Sequence, residues 1–265
     1  MKKKKFLIII IFILLLIILI TLSTKVFGMF YNKIVCENEY LDFASKNENV
    51  IFSINKCVYF SNCNATNKAN SSTSFLIDNL YQYTDIALFI NNNSTENNLE
   101  NTLKSVKINN LQYIEKPQIG NQNIFYKNIN SFAENTIPEN NKFENELVFN
   151  VSSNDIESLD TPTLYNNCAN PIVLSYINNN IKTDYAIENN SNSITYDGSL
   201  LKKCGVPLNS LTTKFSFDIY ITNNLDQEFK CTVYIEPPIQ SEEKSLYDGN
   251  ITKTQNVNYN FYRYK

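Results

Sequence analysis

Beyond the first 45 residues the chain alternates apolar and polar positions with a period of two, in runs broken by Asn and Pro. That is the pattern of strands with one buried face. In "KFSFDIYITNN" the residues Phe215, Phe217, Ile219 and Ile221 share one face, while Ser216, Asp218 and Tyr220 share the other. In "EFKCTVYIEPP" the inner set is Phe229, Cys231, Val233 and Ile235, and Pro237 with Pro238 ends the run. Joined through "NNLDQ", the two predict a hairpin. A second hairpin is predicted in "PIVLSYINNNIKTDYAI", with Asn178, Asn179 and Asn180 as its turn, because Asn tolerates a positive φ better than other non-glycine residues. The first half repeats the style in "NVIFSI", "KCVYF", "SFLIDNL", "DIALFINNN", "SVKINN" and "NIFYKN", which read as short strands. The shared endings "FINNN", "VKINN", "YINNN" and "YITNN" read as coincidence in a chain rich in Ile and Asn rather than as a duplicated unit. The turn signals "TYDGSL" and "LYDGNI" are read the same way, and neither has the layout of a calcium loop.

The amino terminus, "MKKKKFLIIIIFILLLIILITLS", is built differently. Residues 6–24 carry no charge, and at about 1.5 Å per residue such a helix covers roughly 28 Å, close to the hydrocarbon thickness of a bilayer. A cleaved signal peptide has a shorter apolar core, about 7–15 residues, before a small-residue cut. The alternative of cleavage after Gly28 in "KVFGM" has Val26 at the −3 position. Lys2, Lys3, Lys4 and Lys5 outnumber Lys25 and Lys33 on the far side, so residues 1–5 form a cytoplasmic basic tail and everything after the helix lies outside. The expected order is therefore a transmembrane signal anchor over 6–24 that contacts the lipid bilayer, then a juxtamembrane linker over 25–45.

The polar stretch "SFAENTIPENNKFENE", residues 131–146, is poor in strand formers and reads as a seam. It divides the exported part into a first β domain over 46–135, a linker over 136–144, a second β-sandwich domain over 145–240, and a tail or final strand over 241–265. The fold class expected is an all-β, antiparallel region of immunoglobulin-like sandwich type, as two sandwiches, behind one amino-terminal transmembrane helix. The Cys and Trp spacing of true immunoglobulin domains is absent, since the chain has no Trp.

Composition narrows the chemistry. Setting aside the four leading lysines leaves 19 basic residues against 26 acidic ones, about −7, which disfavours a nucleic-acid partner. There is no His for a triad, a proton shuttle or a zinc site. Five glycines, at 28, 120, 198, 205 and 249, cannot write a nucleotide-cradling loop. Asp155 with Asp160, or Glu242 with Glu243, could serve as paired carboxylates, and they read more simply as solvated loop charges. About one residue in six is Asn, so the seven glycosylation-type triplets, at Asn64, Asn70, Asn92, Asn93, Asn150, Asn189 and Asn250, arise by chance.

Six cysteines lie beyond the apolar run, where disulfides persist: Cys36, Cys57, Cys63, Cys168, Cys204 and Cys231. Cys57, Cys63, Cys168, Cys204 and Cys231 are the candidates for pairing. Cys57 and Cys63 are close in sequence, Cys168, Cys204 and Cys231 share the second half, and the odd number in each half points to a bridge across the halves or to free thiols. No catalytic, cofactor or metal residue is assigned. The expected function is that of a single-pass, membrane-anchored surface protein with a binding, adhesive or structural role toward a protein or glycan. The alternatives are an extracytoplasmic hydrolase without His and a filament subunit similar to pilins in layout alone, since Lys5 precedes Phe6 and no acid enters the helix. The terminal "NVNYNFYRYK", with Tyr259, Phe261, Tyr262 and Tyr264, reads as a contact segment or, more simply, as a last strand packed on its own domain.

Overall fold

The alternation in "KFSFDIYI" and "EFKCTVYI" becomes a pair of antiparallel strands, Lys214–Asn223 and Glu228–Ile235, in register from Phe215 opposite Ile235 to Thr222 opposite Glu228. The turn between them is built on Asn223, whose side chain donates to the carbonyl of Glu100 at 2.9 Å and accepts from the backbone N–H groups of Leu225 and Gln227 at 3.0 and 2.9 Å. Asp226 supplies the left-handed residue, at φ 60°. The hairpin expected through "NNLDQ" is present.

The computed structural model describes residues 14, 18–24, 50–69, 74–94, 98–135, 142–152, 163–165, 171–182, 186–188 and 195–264. Two units are distinguished. One takes in residues 1–49 and 262–265; within it residues 18–24 are helical and Tyr262–Arg263 is a short strand. Most of the expected anchor over 6–24, and all of the expected linker over 25–45, lie outside the described residues. Among the described residues no helix is long and apolar enough to cross a membrane.

The other unit is Val50–Phe261. Its strands are β1 (Phe52–Ala69), β2 (Ser74–Asn92), β3 (Leu103–Glu115), β4 (Asn121–Tyr126), β5 (Glu146–Ser152), β6 (Thr163–Tyr165), β7 (Pro171–Lys182), β8 (Ala186–Glu188), β9 (Lys214–Asn223), β10 (Glu228–Ile235) and β11 (Ile251–Asn260), with one short helix, α1 (Ser199–Lys203), between β8 and β9. The first sheet runs β11-β1-β2-β7-β4, with β8 on the far end of β2, and within this unit the second runs β10-β9-β3-β5-β6. Among the described residues pairing is antiparallel except for the three-residue parallel match of β5 with β6.

The two sheets face each other across one main core. Phe215, Phe217, Ile219 and Ile221 are fully buried there, with Phe229, Cys231, Val233 and Ile235 beside them. Aromatic pairs join the layers: Phe52 with Phe229 at 5.4 Å, Tyr126 with Phe149 at 5.4 Å and Tyr176 with Phe215 at 5.8 Å between ring centroids. A second, smaller core holds Cys63, Leu80, Ile181, Leu200, Leu201 and Leu246 and is closed by α1 and a 3-10 turn at Leu246–Asp248.

Three expectations are corrected. The division at residues 136–144 into two sandwiches fails, because each sheet takes strands from both halves: β3 pairs with β9, placing Val106 opposite Ile221, and β2 pairs with β7, placing Ile86 opposite Leu174. The apolar face of β9 packs on the opposite sheet, where Tyr176 of β7 stacks on Phe215, so it shares one core with strands of both halves. Residues 52–54 of "NVIFSI" and the run "KCVYF" belong to one 18-residue strand, β1. No turn forms at Asn178–Asn180. β7 continues through, and the two residues Asn179 and Asn180 together oppose Tyr81 as a bulge with Asn180 at φ 59°.

Candidate functional site

Two polar constellations stand out, one buried and one at the surface. The buried one grows from the outer face of the first sheet. Along β2 the even positions Ile86 and Leu88 enter the main core, which turns Tyr83 and Asp85 to the opposite face. Instead of meeting solvent, Asp85 is fully buried against Lys127, just past the end of β4 and itself 2% exposed, with Lys127 Nζ at 2.7 Å from Asp85 Oδ2. Asp85 also accepts from Ser175 Oγ at 2.7 Å and from the backbone N–H of Ala133 at 2.8 Å. Lys127 donates in addition to the carbonyl of Glu134 at 2.6 Å and lies over the Tyr83 ring. Burial pushes the Asp85 carboxyl up, against the pull of Lys127 and the three hydrogen bonds. The covering piece is the segment 128–135, whose Phe132 packs on Phe60 at 6.5 Å between centroids. The start of the polar stretch read as an interdomain seam is thus a strap clamped onto the first sheet.

The surface constellation lies on the outer face of the second sheet. Register places Lys107 of β3, Tyr220 of β9 and Lys230 of β10 in one row. Both ammonium groups turn over the tyrosine ring, at 5.1 and 5.5 Å from its centroid. The next row holds Asn109, Asp218 and Thr232. Asp218 accepts from Thr232 Oγ1 at 2.6 Å and from Asn110 Nδ2 and Lys230 Nζ, each at 2.9 Å. Burial works to raise its pKa, and these three donors together hold it below the usual carboxylate range. For Lys230 burial works to lower the pKa, and the Asp218 carboxylate outweighs it and holds the ammonium above the usual range. Ser216, Asp218 and Tyr220 share the face opposite the core, as the alternation implies. Ser216 and Asp218 are buried there, while Tyr220 is half-buried and Tyr234 is 59% exposed. Such a face offers aromatic area edged by charges and amides.

Between the two cores runs a third polar feature. Gln82, Asn178 and Gln122 stand side by side on β2, β7 and β4. Gln82 and Asn178 are fully buried, and both amide atoms of Gln82, Oδ1 of Asn178 and Oε1 of Gln122 find no hydrogen-bond partner among the described residues.

The cysteines sort by core. Cys57 and Cys231 face the main core, Cys63 the smaller one, with half-buried Cys204 packed against that smaller core; Cys57, Cys63 and Cys231 are free thiols, and Cys168 lies outside the described residues. Burial raises the Cys57 pKa to about 11, with the Tyr59 hydroxyl acting against it, and burial followed by the Asp218 charge raises that of Cys231 to about 12. Cys63 is pushed up by burial and then by its neighbours Cys204 and Asp197. Such thiols carry little thiolate near neutrality. A Cys57–Cys63 bridge is ruled out by geometry: they stand six residues apart on one strand, about 20 Å at the usual rise, against a Cα reach of about 7 Å.

Of the carboxylate candidates, Asp155 and Asp160 lie outside the described residues, and Glu242 and Glu243 are exposed. Tyr259 and Phe261 belong to β11 and its end and pack on the main core, with Tyr259 donating to the carbonyl of Tyr234 at 2.9 Å. Asp85, Lys127, Lys107 and Lys230 were not singled out in the sequence, although a lone charge inside the apolar runs "YTDIALF" and "IFYKN" is a usable signal. Comparison with protein-family models, with curated proteins and with solved structures finds no match to this chain.

Proposed function

We propose that the chain is a single-pass, membrane-anchored surface protein, amino terminus cytoplasmic and β body outside, whose body binds a protein or glycan partner. The observation that carries the membrane part is the helical stretch 18–24, whose large apolar side chains point outward on all sides: Ile18, Leu19, Ile20 and Leu22 are each more than half exposed. The hydroxyls of Thr21, Ser23 and Thr24 fold back onto the carbonyls three residues earlier, at 2.9, 2.8 and 3.0 Å, so polar groups in this stretch are satisfied locally. Lys2–Lys5 before the apolar run support the orientation. The recognition part is supported by the Lys107–Tyr220–Lys230 row with exposed Tyr234 beside it. We further propose that the body is of immunoglobulin-like sandwich type, on the strength of two facing, mainly antiparallel sheets over one core. Fractionation of cells expressing the full chain tests the reading. The expected result is a protein that stays in the membrane pellet after a high-salt wash and keeps its original amino terminus; a soluble product beginning near Met29 contradicts it.

A further inference from the structure

We infer that Asn250 is a modification site, an N-glycosylation position whose amide takes an oligosaccharide from a polyprenyl-linked donor. The inference rests on the proposed export, because Asn-x-Ser/Thr triplets are modified on exported chain.

Composition accounts for the number of such triplets; the fold decides which of them can carry a glycan. Asn92 Nδ2 donates to the carbonyl of Asn101 at 2.7 Å, and its Oδ1 accepts from the N–H of Ser94 at 2.9 Å. Asn93 Nδ2 donates to the carbonyl of Val50 at 2.9 Å, and its Oδ1 accepts from Ser53 Oγ at 3.1 Å. A sugar on either nitrogen would crowd a bond that ties down the end of β2. Asn64 is half-buried, with Oδ1 accepting from the N–H of Ala65 at 2.7 Å. Asn70 and Asn189, and the side chain of Asn150, lie outside the described residues.

Asn250 is presented differently. Gly249, at φ 119°, leads the chain out of the 3-10 turn Leu246–Asp248 and into β11, an angle that suits glycine. The turn is held by its own cap, in which Asp248 Oδ2 accepts from the N–H of Ser245 at 2.9 Å. Past the turn, Ile251 is fully buried in the smaller core, while Asn250 before it and Thr252 after it are exposed. Positions two apart on extended chain share a side, so the amide and the hydroxyl of the triplet face solvent together. The Asn250 amide has no hydrogen-bond partner among the described residues, so its nitrogen is open to reaction.

The position also has a use. β11 ends the first sheet, no described strand pairs with its outer side, and residues 252–256 are all exposed. An open edge strand is a template for pairing with another chain, and a bulky, solubilising oligosaccharide at its first residue would guard it.

The chemistry is a glycosyl transfer. Asn250 Nδ2 attacks the anomeric carbon of the donor sugar and forms the C–N bond. The bond from that carbon to the donor's phosphate oxygen breaks, and the polyprenyl pyrophosphate leaves with the electron pair. One amide proton passes to a basic group of the transferase.

The test uses the full chain, expressed in cells whose secretory pathway holds the transferase and extracted from the membrane fraction in detergent. Enzymatic release of glycans in oxygen-labelled water converts each modified Asn to labelled Asp, which peptide mass spectrometry locates. The expected result is label at Asn250 in most chains and none at Asn64, Asn92 or Asn93. Asn250→Gln and Thr252→Ala should each abolish modification at position 250, the second with the amide still in place. External protease on intact cells reports export separately. If the body is outside and Asn250 carries no label, or Asn64, Asn92 or Asn93 is labelled as fully as Asn250, the assignment is overturned. If the body is inside, the purified chain incubated with the transferase and its lipid-linked donor decides: transfer to Asn250 upholds the site, and its absence overturns it.

Discussion

Replacing Asp85 by Asn should be the most damaging isosteric change in the protein. Asp85 and Lys127 are buried together, with side chains 0% and 1% exposed, so the change leaves an ammonium in a dry site with only the Glu134 carbonyl as a strong acceptor. The asparagine can turn its Nδ2 toward Ser175 Oγ and keep Oδ1 for Ala133 N–H, so the hydrogen-bond count survives and the loss is one of charge compensation. Breaking one side of a buried pair costs about 3–5 kcal/mol, against a total of about 5–15 kcal/mol. At about 2–4 °C per kcal/mol for a body of this size, the melting temperature should fall by about 6–20 °C. Lys127→Met removes the stranded charge and spares the carboxylate's two other donors; in the Asp85→Asn, Lys127→Met double variant most of the loss should be recovered, because apolar substitutes for buried pairs are often neutral. The assay is thermal and urea unfolding of the full chain in mild detergent, with limited proteolysis to watch the strap. Cleavage within 128–135 should appear in Asp85→Asn below its melting temperature, since that carboxylate holds Ala133 and its partner holds Glu134. A cost under about 1 kcal/mol for Asp85→Asn, with no recovery in the double variant, would refute the claim that the pair is dry and clamps the strap.

Three further outcomes follow from the same structure. Phe217→Asp places a charge in the main core, at a fully buried position, and costs several kcal/mol; limited proteolysis should show both halves of Val50–Phe261 lost together, whereas Tyr220→Asp on the half-buried face costs less, and survival of a first-half fragment would restore the two-domain reading. Asp218 has a folded pKa held down by Thr232, Asn110 and Lys230 after burial is overcome, so its contribution is complete above the unfolded value of about 4 and is lost as pH falls through the folded one; stability measured from pH 5 downward should drop in the parent and drop less in Asp218→Asn, and identical profiles would count against the network. Gln82→Met exchanges a fully buried amide lacking partners among the described residues for an apolar chain of similar size, which should raise stability by about 1–3 kcal/mol, while a fall of that size would show that ordered water satisfies the amide.

Where one face is apolar and the other polar, the sequence was readable. Phe215 to Ile221 and Phe229 to Ile235 are buried as their alternation implies, and the Asn-rich "NNLDQ" does make the turn. Length was not readable in β1, because "SNCNATNKA" carries polar residues on the outer face and so resembles a break, although the strand runs on to Ala69. The same ambiguity affects Asn178–Asn180: one left-handed residue is enough for a bulge, and periodicity alone cannot say whether the chain then reverses or continues. The seam failed for a different reason. Polarity at 128–135 reflects backbone groups bonded to a buried ion pair whose members are 42 residues apart, and nothing local names Lys127 as the partner of Asp85. The Lys107–Tyr220–Lys230 row likewise exists only through the pairing of β3, β9 and β10.

The central claim, a β body displayed outside by an amino-terminal anchor, is tested most directly by labelling single introduced cysteines on intact cells with a membrane-impermeant maleimide. Thr254→Cys lies at an exposed position of β11, and Lys3→Cys lies before the apolar run. With peptide mass spectrometry separating each new site from the native thiols, position 254 should react on intact cells and position 3 only after permeabilisation. Protection of position 254 until the membrane is opened, or reaction at position 3 on intact cells, would contradict the account.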